Sequence, residues 1–300
     1  RWLWVYLFLS RVNKNFLILG RNSLISKKTA NFLKKKNFVK VLGSKDCNLL
    51  KKKEVEKLLG NLKKKYVLII FSFISENKNS KSIYLKNLKM MNNVVETIDI
   101  NKISKIIFIS SVEVYGQVPQ NPISESNKEN PRNLYGSAKY ACEQKFSLKV
   151  SSKKLLILRL PGIYGYGDNF ESVIGKFINS AIKFKKIVIK STGEDKRDFL
   201  NADDFPRILN NLLIDNAYGV INVVSGKSRS IKYIAKTISR YLKKNIIISF
   251  KKKSKNKSLE LISKFEFKRK KILHKKKYYF TNIEKGIYEY INQIQKWILI

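Results

Sequence analysis

The run S-S-V-E-V-Y-G at residues 110–116, followed by Y-G-S-A-K at residues 135–139, decides how the rest of the chain is read. Tyr135 and Lys139 stand four residues apart, so on a helix they project from one face, a turn from each other. A phenol ionises near pH ~10 in water, and a neighbouring ammonium favours its phenolate. The pair therefore predicts a proton donor and acceptor usable near neutral pH. The apolar run 106–109 reads as a buried strand that stops at Ser111, and ligands in open α/β sheets bind at that carboxyl edge. A serine, a tyrosine and a lysine so placed can move a proton on and off a substrate hydroxyl or carbonyl while a cofactor moves hydride.

Working outward, short apolar runs alternate with helical spacing. Strands are expected at 16–19, 39–42, 67–71, 106–111, 155–160, 220–224 and 246–250. Helices are expected at 54–62 and 85–98, around Tyr135, from a Ser230 N-cap through Tyr241, and after the capping-box sequence Thr281-Asn282-Ile283-Glu284. Between the first strand and its helix lies G-R-N-S-L-I-S at 20–26. Strand, tight turn and helix is the layout that holds a pyrophosphate at a helix N-terminus. The alternation predicts an α/β fold, a Rossmann-like doubly wound parallel sheet with a smaller C-terminal substrate lobe. The expected division is an appendage at 1–13, a dinucleotide-binding domain at 14–165 with a return segment at about 196–242, and an intermixed substrate lobe at 166–300. The lysine-rich stretch 251–277 is expected to be partly mobile.

With these motifs in order, the chain resembles the extended short-chain dehydrogenases/reductases, the NAD-dependent epimerase/dehydratase group that remodels nucleotide sugars. A Y-x-x-x-K alone recurs by chance, but one about two dozen residues after a strand ending S-S-x-x-V-Y-G is far more specific. The resemblance implies that Tyr135 exchanges the substrate proton, that Lys139 lowers its pKa and holds the nicotinamide ribose, and that Ser111 orients the same oxygen. It implies cofactor contacts from Gly20, Ser23, Leu24 and Ile25, although Ser23 and Ser26 replace two glycines of the family's G-x-x-G-x-x-G. Further cofactor contacts are implied at Asp46 and Cys47, Ser72, Asn87 and Pro161. The usual acid after the second strand is replaced by Gly43-Ser44-Lys45, which leans the choice between NAD and NADP slightly toward NADP through Lys45. The segment R-L-P-G-I-Y-G-Y-G at 159–167 and K-R-D-F at 196–199 resemble the family's substrate-lining motifs, and imply substrate contacts at Gly162 and Arg197 beside Ser111 and Tyr135. Glu113 matches a glutamate of the family's dehydratases and decarboxylases, but Val112 replaces the acid that precedes it in the dehydratases. It reads equally as a second acid/base or as a hydrogen-bonding loop residue. The implied activity is nucleotide-sugar epimerisation or 4-keto reduction, with dehydration or decarboxylation through Glu113 as an alternative. Relatives pair through the helices at 85–98 and around Tyr135, so a homodimer is expected.

Composition sets bounds. The 300 residues and 44% hydrophobic content suffice for a large core. The net charge of +40 invites a nucleic-acid reading, but the excess is scattered lysine among Asn and Ile, without an arginine-aromatic cluster, so nucleic acid is not the expected partner. A degenerate, non-catalytic cofactor-binding module remains the other rival. His274 is the only histidine, and Cys47 and Cys142 have no ligand spacing, so neither a Ser-His-Asp triad nor a metal is expected. Two cysteines fit a reduced, cytoplasmic setting. The apolar run 2–9 is too short to span a bilayer and carries no cleavage site, so no membrane span or signal peptide is expected.

Overall fold

A computed structural model describes residues 14–116, 121–242, 245–250 and 265–298. The expected appendage at 1–13 and residues 251–264 of the lysine-rich stretch lie outside the described residues. The described chain divides into two compact units. Residues 14–116, 128–159 and 206–221 make the first, and 121–127, 160–205, 222–242, 245–250 and 265–298 the second.

The first unit carries strands β1 (Asn15–Leu19), β2 (Phe38–Leu42), β3 (Tyr66–Ile70), β4 (Ile103–Ser111), β5 (Leu155–Leu160) and β6 (Gly219–Asn222). Its helices are α1 (Leu24–Leu33), α2 (Lys52–Gly60), α3 (Lys81–Thr97), α4 (Leu134–Lys149) and α5 (Asp204–Ile214). The six strands form one parallel sheet in the order β6-β5-β4-β3-β1-β2. β1 pairs with β2 on one side and β3 on the other, so the winding direction reverses between β1 and β3. Such a switch point opens a crevice at the carboxyl ends of the two strands, and Gly20 and Ser72 lie there.

Burial follows from position. β4 is buried along nearly its whole length, around an apolar run at 106–109, because helices cover both faces of a central parallel strand. β2, at the edge, alternates exposed and half-buried residues, with Phe38 and Lys40 outward. The core joins Leu17, Leu68 and Phe108 of the sheet to Val55 and Leu59 of α2, Met91 and Val94 of α3, and Cys142 and Phe146 of α4. Each such side chain contributes roughly 1.5–3 kcal/mol by leaving water. No helix among the described residues is long and apolar enough to cross a membrane.

In the second unit, Gly162–Tyr164 pairs in parallel with Phe199–Asn201, and Lys186–Ile189 with Ile247–Phe250. Helices Val173–Phe184, Ile231–Leu242 and Ile283–Ile298 gather around Ile174, Ile178, Ile234, Ile238, Ile287 and Ile291. Ser230 caps its helix as expected, its Oγ accepting the Tyr233 N–H at 3.1 Å. The capping box at Thr281 does not form. Thr281 donates its hydroxyl to Asp204 Oδ1 at 2.9 Å and its N–H to Oδ2 at 2.6 Å, while Asn282 Oδ1 takes the Glu284 N–H. A buried carboxylate is the stronger partner for that hydroxyl.

Candidate active site

Ser111 is the last residue of β4, and its Oγ accepts the Glu113 N–H at 3.2 Å to open a short 3-10 turn, Val112–Tyr115. The same hydroxyl lies close enough to the phenol of Tyr135, the second residue of α4, to favour its ionised form. Two neighbours of Tyr135 bring the helix this close. Asn133 caps α4 by accepting the Gly136 N–H at 2.8 Å, and its own amide donates to Glu113 Oε2 at 2.8 Å. A Cβ on Gly136 would lie 2.6 Å from the Glu113 carbonyl oxygen, so only glycine lets the first turn of α4 seat against the turn after β4.

Lys139 lies one turn on and is buried. Its Nζ donates to the Ile109 carbonyl at 2.6 Å, and stands 3.8 Å from the Phe73 ring centroid, 5.1 Å from Phe108 and 5.8 Å from Tyr135. Burial pushes the amine down to about 7, against the opposing pull of Cys142 and Glu143. The sequence implied that Lys139 would depress Tyr135, and the structure reverses the sign. Burial, and after it the Glu113 carboxylate, push the phenol above its ordinary range, and the Ser111 hydroxyl only partly opposes them. The physical reason is direction: the Lys139 amine is turned to the Ile109 carbonyl and desolvated, so it lends the phenol little positive charge.

Glu113 has both carboxylate oxygens engaged. Oε1 pairs with Lys78 at 2.6 Å and Oε2 accepts from Asn133. Lys78 belongs to the loop after β3, which also packs the Phe73 ring edge-on against Tyr135 and accepts the Tyr135 N–H at the Lys78 carbonyl. Asn87, expected at the cofactor, is buried in α3, where its amide accepts the Ile74 N–H at 2.8 Å and donates to the Ile74 carbonyl at 2.9 Å and so fixes this loop.

At the switch point, Gly20 has φ +107°, and a Cβ there would come within 2.6 Å of the Ser72 nitrogen. Arg21, Asn22 and Ser23 are exposed, Leu24 is half-buried and Ile25 is buried. Ser23 caps α1, its Oγ accepting the Ser26 N–H at 3.2 Å. The first-turn amides of Leu24 and Ile25 have no intrahelical acceptor and suit a pyrophosphate. The close approach at Gly20 and this open helix end fit a dinucleotide. At the end of β2, Lys45 is exposed, and Asp46 accepts the Gly43 N–H at 2.7 Å and pairs with Arg21 at 2.8 Å. The Gly43 bond, and the Arg21 charge with it, hold the Asp46 carboxyl below its usual range. Cys47 is buried in the core, where desolvation raises its thiol.

The remaining expected residues belong to the second unit. Pro161 is buried, Gly162 is exposed and pairs with Phe199, and Arg197 lies half-buried with its guanidinium 4.8 Å from the Phe265 ring. Beside it, Asp198 is buried on the Ser225 and Gly226 amides, and Glu194 pairs with Lys232.

Several residues of the site went unread in the sequence. Asn133 and Gly136 position Tyr135, Phe73 covers Lys139, and Arg21 stands at the end of β2. Only Asn133 carried a sequence signal, an N-cap residue one position before the helix.

The family profile described as NAD dependent epimerase/dehydratase family matches residues 16–240. A dTDP-D-glucose 4,6-dehydratase of Dictyostelium discoideum is 34% identical over 144 residues, 42% of this chain and 33% of that one. The dTDP-4-dehydro-6-deoxyglucose reductase of Escherichia coli is 32% identical over 157 residues, 50% of this chain and 49% of its own. The chain thus spans about half or less of the curated relatives it matches. A UDP-glucose 4-epimerase of Thermotoga maritima, solved with UDP-glucose, shares the fold with a TM-score of 0.81 and 18% identity, over 95% of this chain and 99% of that one. The sheet order, the serine-tyrosine-lysine grouping and a profile match over most of its length agree: the chain belongs to the NAD dependent epimerase/dehydratase family.

Proposed function

We propose that this chain is a nucleotide-sugar 4-keto reductase or epimerase in which Ser111, Tyr135 and Lys139 handle the proton. The observation that carries the reading is the Tyr135 phenol close enough to the Ser111 hydroxyl to feel its pull, with the Lys139 amine buried one helical turn behind. A bound nicotinamide dinucleotide supplies or accepts hydride. Gly20, Ser23, Leu24 and Ile25 would hold its pyrophosphate, and Ser72 would border it. Ser111 orients the sugar oxygen, and Tyr135, kept protonated by burial, gives that oxygen its proton. Lys139, one helical turn on, is assigned to the nicotinamide ribose. Arg197 and Gly162 are assigned to the nucleotide diphosphate of the substrate.

Dehydration is the second reading, favoured by the activity in the name of the Dictyostelium relative. Against it stand the two occupied oxygens of Glu113 and the valine before it. We also assign NADP over NAD, because Arg21 and Lys45 put two cationic side chains at the end of β2 and the one acid there, Asp46, is already paired. The protein is assigned to the cytoplasm, as a homodimer paired through α3 and α4.

The test is a panel of dTDP-, UDP- and GDP-linked sugars and their 4-keto forms, each with NADPH and NADH. Oxidation of NADPH by a 4-keto sugar is expected. Release of a 4-keto-6-deoxy sugar from the parent sugar would make it a dehydratase, and a chain that quenches with neither dinucleotide would not be an enzyme of this kind.

A further inference from the structure

A group of buried charges lies just behind the proton-handling residues, and the function above makes no use of it. Glu143 continues the face of α4 that carries Tyr135 and Lys139, one turn past the lysine. Glu143 and Arg159 are each 1% exposed. The guanidinium grips the carboxylate as a fork, Nε to Oε1 at 3.1 Å and Nη2 to Oε2 at 2.6 Å, and Nη2 also donates to Glu129. Ser110, the residue before Ser111, donates its hydroxyl to Glu143 Oε1. The Arg159 guanidinium stacks 4.8 Å from the ring of Tyr115, at the end of the turn that Ser111 opens. Burial works against the arginine's charge, yet the bonds and charge of Glu143 outweigh it and hold the guanidinium protonated.

A buried ion pair adds little net stability compared with apolar residues of the same volume, so stability is a poor reason for this one. What the fork supplies is direction. It ties α4 to the ends of β4 and β5, and it does so at the residue adjoining Ser111.

We propose that Glu143, Arg159 and Ser110 are positioning residues that set the Ser111 hydroxyl against Tyr135 and Lys139. The inference rests on the proton-handling reading above. Ser110→Ala removes one hydroxyl from the group while leaving the fork intact, so it should fold as the parent does. Its kcat with the best 4-keto sugar of the panel should fall about tenfold, the scale expected of a sub-ångström misplacement. Its NADPH quenching curve should be unchanged, and its unfolding midpoint should fall only by the loss of one hydrogen bond to a buried carboxylate. In the cofactor-free protein, the 13C resonance of the Tyr135 phenol carbon, assigned by its loss in Tyr135→Phe, should move toward its position in Ser111→Ala. The double variant Glu143→Met/Arg159→Met, which removes both charges together, should lose more kcat than Ser110→Ala. Wild-type kcat with an unmoved resonance in Ser110→Ala overturns the positioning role alone. Turnover that survives in Tyr135→Phe overturns the proton-handling reading and this inference with it.

Discussion

The turn that leaves β1 and the turn that leaves β4 are built from similar parts. Each follows a buried parallel strand, and each hands the chain to a helical turn capped by a serine, Ser23 in one case and Ser111 in the other. They differ in what surrounds them. Residues 21–23 stand in solvent and offer backbone amides, whereas Ser111 and Lys139 are buried and offer side chains, and burial has lowered the proton affinity of the Lys139 amine. A site made of backbone tolerates a changed side chain as long as the backbone keeps its path. A site made of desolvated side chains tolerates almost nothing. The serine in place of glycine at 23 is therefore a mild departure, and one change at 111, 135 or 139 would not be.

The sharpest way to break that contrast is Tyr135→Phe. Removing the phenol oxygen should lower kcat by at least about 10²-fold, the usual share of a general acid, with NADPH quenching of intrinsic fluorescence retained. At the other turn the damaging change is to the backbone. Gly20→Ala forces a Cβ toward the Ser72 nitrogen at a φ of +107°, and should cost about 1–3 kcal/mol in urea unfolding as well as weaken cofactor binding. The pH response separates the turns next. Lys139 titrates at about 7 in the folded chain against 10.5 when free. Between those values the unfolded chain carries a proton that the folded one lacks, so stability from this residue rises with pH across the window, and the penalty is full below it. Denaturant unfolding of wild type and Lys139→Met should show wild type gaining on the variant from pH 7 to 10.5. Glu113→Gln should be milder. The Lys78 pair is half exposed, so its loss is worth under about 1 kcal/mol and kcat should stay within a few-fold. A hundredfold loss there would restore Glu113 as an acid/base. Ser23→Gly should do least, a few tenths of a kcal/mol, because glycine is itself a fair cap.

The parts of this molecule that were legible in the sequence are those where one local rule decides. The apolar run leading to Ser111 can only be a buried strand, and the spacing of Tyr135 and Lys139 fixes their common face. Gly20 after a strand marks a turn whoever its neighbours are. What stayed hidden depends on partners far apart in the chain. Glu143 and Arg159 are charged residues, and charge alone argues for the surface until each is seen to neutralise the other. Nothing in the sequence shows that the Ile74 backbone would hold both ends of the Asn87 amide. Lys139 was expected to act by its charge, and burial, which no local pattern reports, reversed the effect on Tyr135.

The alternating edge strand β2 has a consequence for a chain so rich in lysine. An open sheet edge presents unpaired peptide groups to any passing strand, and association there would grow into aggregates. Lys40 sits outward in the middle of that edge, and a second strand could dock only by stripping water from its ammonium. The lysines that say little about chemistry thus help keep the protein in solution.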